Sequence, residues 1–157
     1  MIRSGGQSGV DRAALDTAGE FGISMGGWCP KGGWAEDCTV PPGVLALYPK
    51  LEETPLRKPE QRTIWNVRDA DATLIIYPEG SRRSSGTGLT EKTAGNLGKP
   101  CFVIRREEDI PDAAEWLDSL GDELILNVAG PRESECAGVY EKAVIVLREI
   151  LRCCSED

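Results

Sequence analysis

The sequence predicts an α/β fold in which a parallel sheet of about five strands carries helices on both faces. Short apolar segments alternate along the chain with segments of helical periodicity. The last three apolar segments are nearly continuous hydrophobic runs, as expected for strands that are covered on both sides. Alternating strands and helices indicate parallel strands joined by right-handed crossovers. A chain of 157 residues is long enough for one such domain with a substantial core.

The predicted strands are short, and each is followed by a loop that carries glycine or charge. They cover residues 1–3, 23–27, 72–77, 101–104 and 124–128. The predicted helices lie between them. The first has apolar residues at helical spacing from Val10 to Ala18 and ends at Gly22. The others cover residues 59–69, 87–97, 112–120 and 139–151, and the last of these is the most hydrophobic.

Residues 28–58 are the exception to this alternation, because they are rich in proline and glycine and show no clear periodicity. A loop of that length in a compact domain is usually a functional lid or an insertion. From its length and the alternation of strands and helices, the chain is predicted to form a single domain over residues 1–152. Residues 153–157 are predicted to be a disordered tail.

Composition excludes several classes of function. The chain has 18 basic and 26 acidic residues and no histidine. A net charge of −8 disfavours nucleic acid as a partner, because affinity for its backbone requires many basic contacts. The lack of histidine excludes Cys/His zinc sites and Ser-His-Asp catalysis. The chain also lacks the CxxC pairs that are typical of structural zinc sites. Without a signal peptide or a membrane span, we expect a cytoplasmic protein with mostly free thiols and no membrane partner.

Three glycine-rich loops follow the predicted first, third and fifth strands, at residues 4–9, 79–88 and 129–134. Ligands of parallel sheets bind beyond the carboxyl ends of the strands, where glycine and helix N-termini present amide groups to anions. A tight turn explains any one loop equally well, but three loops at one edge favour an anion site. The loops contain neither GxGxxG nor GK[ST], which disfavours standard NAD binding and Walker-type ATP hydrolysis. The predicted ligand or phosphate contacts are Ser4, Gly5, Gly6, Gln7, Gly9, Lys31, Arg82, Arg83, Ser85, Gly86, Thr87, Gly130 and Arg132.

Two further sets of residues leave alternatives open. Trp28 and Trp34 either stack on a ring of the ligand or anchor the long loop on the core. Arg62, Asn66 and Asp69 share one helical face, which is either a solvated salt-bridge face or a wall facing the loop after the third strand.

Four segments resemble the molybdenum-carrier family, the circularly permuted YpsA-like branch of the SLOG superfamily. They are residues 4–16, 26–37, 61–69 and 127–134, and the resemblance spans the chain from Ile2 to about Leu151. The resemblance implies a Rossmann-like fold, homo-oligomers, and a nucleotide-derived or molybdopterin-type ligand. The first hypothesis is therefore a binding protein that shelters a phosphorylated cofactor, with a molybdenum cofactor carrier as the leading candidate, and whether the protein is also an enzyme stays open. Cys29, near Lys31, is a weak candidate for a reactive thiol or a soft molybdenum ligand.

A second resemblance keeps an enzymatic alternative open. The lysine-decarboxylase-like phosphoribohydrolases carry the signature PGGxGTxxE, of which Gly86 and Thr87 match the GT. The position of the signature glutamate is Thr90, and Glu91 follows one residue later, about 100° further around a helix. Hydrolysis of a nucleotide N-glycosidic bond is therefore the second hypothesis, with Glu91, Asp69 and Glu36 as weak catalytic candidates. A nucleotide-sensing module is the third.

Overall fold

A five-stranded parallel sheet forms the centre of the protein, in a computed structural model that describes residues 1–82 and 84–154. In chain order the strands of the whole structure are β1 (Ile2–Arg3), β2 (Met25–Gly26), β3 (Trp28–Cys29), β4 (Glu52–Glu53), β5 (Ala72–Ile76), β6 (Cys101–Ile104) and β7 (Leu126–Ala129). The central sheet has the order β2-β1-β7-β5-β6, whereas β3 and β4 pair in a separate two-stranded ladder. The predicted α/β, Rossmann-like fold is confirmed.

Helices cover both faces of the sheet. They are α1 (Val10–Glu20), α2 (Val44–Leu47), α3 (Pro59–Arg68), α4 (Ser85–Asn96), α5 (Ile110–Leu120) and α6 (Val139–Cys153). The main apolar core lies on the face of α1, α5 and α6, which pack against Ile2, Ala72, Leu74, Leu126 and Val128 of the strands. Helices α3 and α4 pack on each other over the opposite face.

The sheet face towards α3 and α4 contains a row of polar side chains. Arg3, Asn127 and Thr73 are in register on three adjacent strands. Their neighbours Ile2, Leu126 and Ala72 belong to the apolar core, so alternation along each strand turns the polar row to the other face. Asn127 and Thr73 are both buried. This polar interior leaves room for a cleft between the sheet and the two helices.

Most predicted elements occur within two residues of their expected bounds. Helix α6 continues to Cys153, so it includes the first residue of the predicted tail, and residues 155–157 of that tail lie outside the described residues. Residues 28–58 are folded around a small apolar cluster of Leu15, Cys29, Ala35, Val44 and Leu51. Their elements span only two to four residues each, too few to show a period in the sequence. Among the described helices, none has both the length and the apolar content needed to cross a lipid bilayer.

Candidate functional site

A cleft of about 170 Å³ opens at the carboxyl edge of the sheet, between the ends of β1 and β7 and the helices α3 and α4. The three glycine-rich loops all contribute to it. The lining residues are Gly5, Gln7, Asp11, Pro59, Glu60, Arg62, Thr63, Asn66, Ser84, Ser85, Gly86, Thr87, Leu89, Thr90, Asn127, Val128, Ala129, Gly130, Arg132 and Glu135.

Helix α4 points its N-terminus into this cleft. The Ser84 hydroxyl caps the helix by accepting a hydrogen bond from the Thr87 amide at 3.1 Å. Within the described part of the chain, the amides of Ser85 and Gly86 have no acceptor. The hydroxyl of Thr87 is buried without a hydrogen-bond partner there, although the residue is only 6% exposed. Buried polar groups are nearly always paired, so the Thr87 hydroxyl indicates a missing partner. The free amides of the exposed residues Ser85 and Gly86 lie beside it at a helix N-terminus, which favours an anion as that partner.

A buried ion pair forms the opposite wall. Nη1 of Arg62 lies 3.0 Å from Oδ2 of Asp11 and also donates to the Gly5 carbonyl at 3.1 Å. The same Asp11 oxygen accepts from the Gln7 amide at 3.2 Å. Burial raises the pKa of Asp11 above its ordinary value, and the charge of Arg62 opposes that rise. The pair thus fixes the loop after β1 to α3.

Close approach explains two of the glycines in the cleft wall. A Cβ atom on Gly5 would lie 2.2 Å from Nη1 of Arg62. A Cβ atom on Gly130 would lie 2.2 Å from the Ile76 carbonyl oxygen on the neighbouring strand. A side chain at Gly5 would displace the Arg62 and Asp11 side chains, whereas one at Gly130 would meet backbone and push the loop after β7 away from the neighbouring strand.

Most amides of the other two loops already have protein acceptors. The Gln7 amide donates to Asp11, and the Ser8 amide donates to Oε1 of Gln7 at 3.0 Å. After β7, the amide of Glu133 donates to the Ser8 hydroxyl at 3.2 Å, and that of Ser134 donates to Glu36 at 3.1 Å. These loops mainly shape the wall. Away from α4, the amides of Gly5 and Gly130 have no acceptor within the described part of the chain, and the buried Nε of Arg62 has no hydrogen-bond partner there.

Glu36 joins the loops after β1 and β7 to the segment of residues 28–58. Its carboxylate accepts from the Ser8 hydroxyl at 2.5 Å and from the Ser134 hydroxyl at 2.6 Å. Burial raises its pKa, but the hydrogen bonds from Ser134 and Ser8 outweigh burial and hold the pKa below its ordinary value. The Glu36 amide donates to the Gln7 side chain at 2.9 Å. Arg132 lies 3.8 Å from Glu36 and donates to Glu135 at 3.1 Å, so its charge is already partly balanced.

The predicted contact residues separate into three groups. Seven line the cleft: Gly5, Gln7, Ser85, Gly86, Thr87, Gly130 and Arg132. Ser4, Gly6 and Gly9 shape the first loop from behind, where the Ser4 hydroxyl donates to the Asp11 carbonyl. Lys31 and Arg82 are exposed and are not among the lining residues, and Arg83 lies outside the described residues.

The tryptophans and Cys29 also lie outside the lining of the cleft. The Trp28 indole donates to Asp69 at 2.7 Å, and its ring packs edge-on against Trp65 with centroids 4.9 Å apart. Trp28 therefore anchors the long segment on α3, while Trp34 is half-buried. Cys29 is fully buried, and burial raises the pKa of its thiol to about 11, which opposes a reactive role. In the described part of the chain, no cluster of acidic and cysteine side chains has the arrangement of a metal site.

None of the three catalytic candidates lines the cleft. At the position of the signature glutamate, Thr90 lines the cleft, and its hydroxyl donates to the Gly86 carbonyl at 2.9 Å. Glu91, the next residue, is exposed. The side chain of Asp69 is paired with Trp28 and Arg68. Arg62, Asn66 and Asp69 share one helical face. Arg62 and Asn66 line the cleft, whereas Asp69 does not.

Sequence reasoning missed several lining residues, among them Asp11, Glu60, Asn127 and Glu135. Asn127 had a recognisable signal, since it is a polar residue inside an otherwise apolar strand. The others lie on exposed or amphipathic segments, where an acidic residue is ordinary.

Comparison with known proteins gives two matches over almost the whole chain. The sequence profile of the circularly permutated YpsA SLOG family matches residues 2–151. A crystal structure described as a "putative molybdenum carrier protein", from Syntrophus aciditrophicus SB, is similar with a TM-score of 0.81 and 39% sequence identity. The alignment covers 96% of this chain and 93% of that one. No curated protein sequence matches the chain.

Proposed function

The chain belongs to the circularly permutated YpsA SLOG family, and from that premise we propose that it binds a phosphorylated small molecule in the cleft. The phosphate would lie at the start of α4, and the remainder of the ligand would extend between α3 and the end of β7. The similar protein from Syntrophus aciditrophicus SB supports a molybdenum carrier role. The ligand is accordingly of the molybdopterin or nucleotide type.

One observation carries the proposal: a buried hydroxyl without a partner stands beside two free helix amides. Thr87 is 6% exposed, and its oxygen has no hydrogen-bond partner among the described residues. A phosphate oxygen would accept from this hydroxyl and from the amides of Ser85 and Gly86 at once. The α4 dipole adds to the attraction, because its positive end faces the same point.

Binding fits the cleft better than hydrolysis. The phosphoribohydrolase signature requires a glutamate at the position of Thr90, and a threonine there supplies no carboxylate. The exposed side chain of Glu91, the next residue, lies outside the cleft lining. A carrier requires only that the ligand be held and released.

Calorimetry with AMP and a pterin monophosphate tests this site. We expect the protein to bind at least one of them with micromolar affinity or better. Thr87→Val removes the hydroxyl but keeps the shape, and we expect it to weaken binding at least tenfold, since a hydrogen bond to a charged group contributes about 1.5–3 kcal/mol.

Thr93→Val is the matched control. Thr93 lies on the same helix and is also buried, but it is outside the cleft lining, and its hydroxyl donates to the Leu89 carbonyl at 2.7 Å. We expect this variant to bind like the original protein. Equal losses in both variants, or no binding of any phosphate compound, would refute the assignment of phosphate to the start of α4.

A further inference from the structure

We infer that the cleft holds its ligand at two separate points, and that the second point is a gap between the ends of β1 and β7. The gap is lined by Gly5, Gly130 and Arg62, whose free N–H groups would donate to an oxygen atom of the ligand. This inference rests on the proposed function. It adds that the ligand carries an oxygen acceptor besides the phosphate group at the start of α4.

The hydrogen-bond ladder between β1 and β7 ends before the two strands reach the cleft. The Leu126 amide donates to the Met1 carbonyl at 2.9 Å, in a parallel register. If this pattern continued, the Gly5 amide would donate to the Val128 carbonyl and the Gly130 amide to the Gly5 carbonyl. Neither hydrogen bond forms among the described residues. The strands therefore separate at their carboxyl ends and leave two amides without an acceptor.

Arg62 lines the same gap and has a donor to spare. Its Nη1 donates to the Gly5 carbonyl at 3.1 Å and lies 3.0 Å from Oδ2 of Asp11. Its Nε is buried, and it has no hydrogen-bond partner in the part of the chain that the structure describes. Because buried donors are nearly always paired, this Nε indicates a missing acceptor, as the Thr87 hydroxyl does at the start of α4.

The chemistry of the gap defines the group that it takes. Its free groups are N–H donors, so the partner must be an acceptor, and Asp11 already balances the charge of Arg62. Oxygen acceptors in a phosphorylated small molecule are a ring carbonyl, a sugar hydroxyl or a further phosphate. Crevices at the carboxyl ends of parallel strands are the usual ligand sites of such sheets. A ligand that reaches both the gap and α4 must therefore carry two acceptor groups.

NMR titration of the ¹⁵N-labelled protein tests the inference with inorganic phosphate, ribose 5-phosphate, AMP, IMP and ADP. We expect inorganic phosphate to shift the amide signals of Ser85 and Gly86 without shifting those of Gly5 and Gly130. At least one of the four larger compounds should shift both pairs of signals downfield.

The four compounds also separate the sources of the oxygen. A shift of the Gly5 and Gly130 signals with ribose 5-phosphate would identify a sugar hydroxyl. A shift with IMP but not with AMP would identify a ring carbonyl, because AMP has an amino group in its place. A shift with ADP alone would identify a second phosphate. Each of these results supports an acceptor in the gap.

Arg62→Lys tests the side chain, because lysine keeps the positive charge beside Asp11 but has no counterpart of Nε. Calorimetry should show that it weakens binding of the compound that shifts Gly5 and Gly130 by roughly two- to tenfold, as expected for one hydrogen bond. Its effect on inorganic phosphate should be smaller. Arg68→Lys is the matched control on the same helix, since Arg68 is exposed, pairs with Asp69 and does not line the cleft.

Two results would overturn the inference and leave the phosphate site in place. The first is that the Gly5 and Gly130 signals stay fixed with all four larger compounds while those of Ser85 and Gly86 move. The second is that inorganic phosphate alone shifts all four signals, which would mean one site instead of two. If no compound moved the Ser85 and Gly86 signals, the proposed function would be wrong as well.

Discussion

We expect Gly9→Ala to lower the free energy of unfolding by about 3 kcal/mol or more. Gly9 precedes α1 with a φ of 79° and a ψ of −130°, a backbone region that is essentially restricted to glycine and costs other residues about 1–3 kcal/mol. A Cβ atom there would also lie 2.4 Å from the Pro131 carbonyl oxygen and 2.9 Å from the Arg132 Cα. Both atoms are backbone, so relief requires the loops after β1 and β7 to separate, and such overpacking typically costs another 1–3 kcal/mol or so.

Gly22→Ala is the comparison variant, at a glycine with a positive φ and no steric contact. Gly22 has a φ of 66°, but nothing lies within 4 Å of its added Cβ atom. Urea unfolding followed by circular dichroism should therefore show a loss of only about 1–2 kcal/mol for Gly22→Ala. An equal loss in the two variants would mean that the loops after β1 and β7 do not meet at Gly9 as described.

Replacing Arg62 with methionine should lower the free energy of unfolding by about as much as Gly9→Ala does. The substitution keeps much of the side-chain volume but leaves Asp11 buried without its ion-pair partner. Breaking a buried pair by removing one member typically costs about 3–5 kcal/mol. Part of that loss should return in the Asp11→Asn, Arg62→Met double variant, because asparagine carries no charge and its oxygen can still accept from the Gln7 amide.

The decrease in the free energy of unfolding caused by Arg62→Met should depend on pH. Burial already raises the pKa of Asp11 in the folded protein, and removing the opposing charge of Arg62 raises it further. Between the ordinary pKa of 3.8 and the raised one, the folded state binds a proton that the unfolded state has lost. Stability therefore falls as pH increases through this range, and the variant should be least impaired in acid. A loss that does not change between pH 4 and pH 7 would contradict a charged Asp11 in this pair.

The edge of the sheet that holds the cleft could be predicted from the sequence for a clear physical reason. Buried parallel strands are continuous apolar runs, and the glycine-rich segments that follow them must lie together at the carboxyl edge. Gly86, Thr87 and Gly130 were found in this way. The placement of Arg62 and Asn66 towards the same edge was one of two open alternatives, because helical spacing alone does not show which face meets the sheet.

The parts of the site that could not be predicted from the sequence depend on contacts between residues far apart in the chain. Glu36 binds Ser134, which is 98 residues away, and so makes the loop after β7 part of the wall and not a free anion receptor. Trp28 meets Asp69 across 41 residues, which turns a candidate stacking residue into an anchor. Lys31 and Arg82 were chosen for their charge and their place in the sequence, and neither lines the cleft. Homo-oligomerisation, which the family resemblance implied, stays a prediction.

The central claim is that Ser85, Gly86 and Thr87 hold a phosphate, and NMR of the ¹⁵N-labelled protein tests it most directly. Titration with AMP should shift the amide resonances of Ser85 and Gly86 downfield by more than any others, because a phosphate oxygen would become the acceptor that they lack. Inorganic phosphate should move the same two signals in the same direction at higher concentration. If both signals stayed in place while AMP bound, or if the largest shifts lay in the loops after β1 and β7, the phosphate would not be at the start of α4.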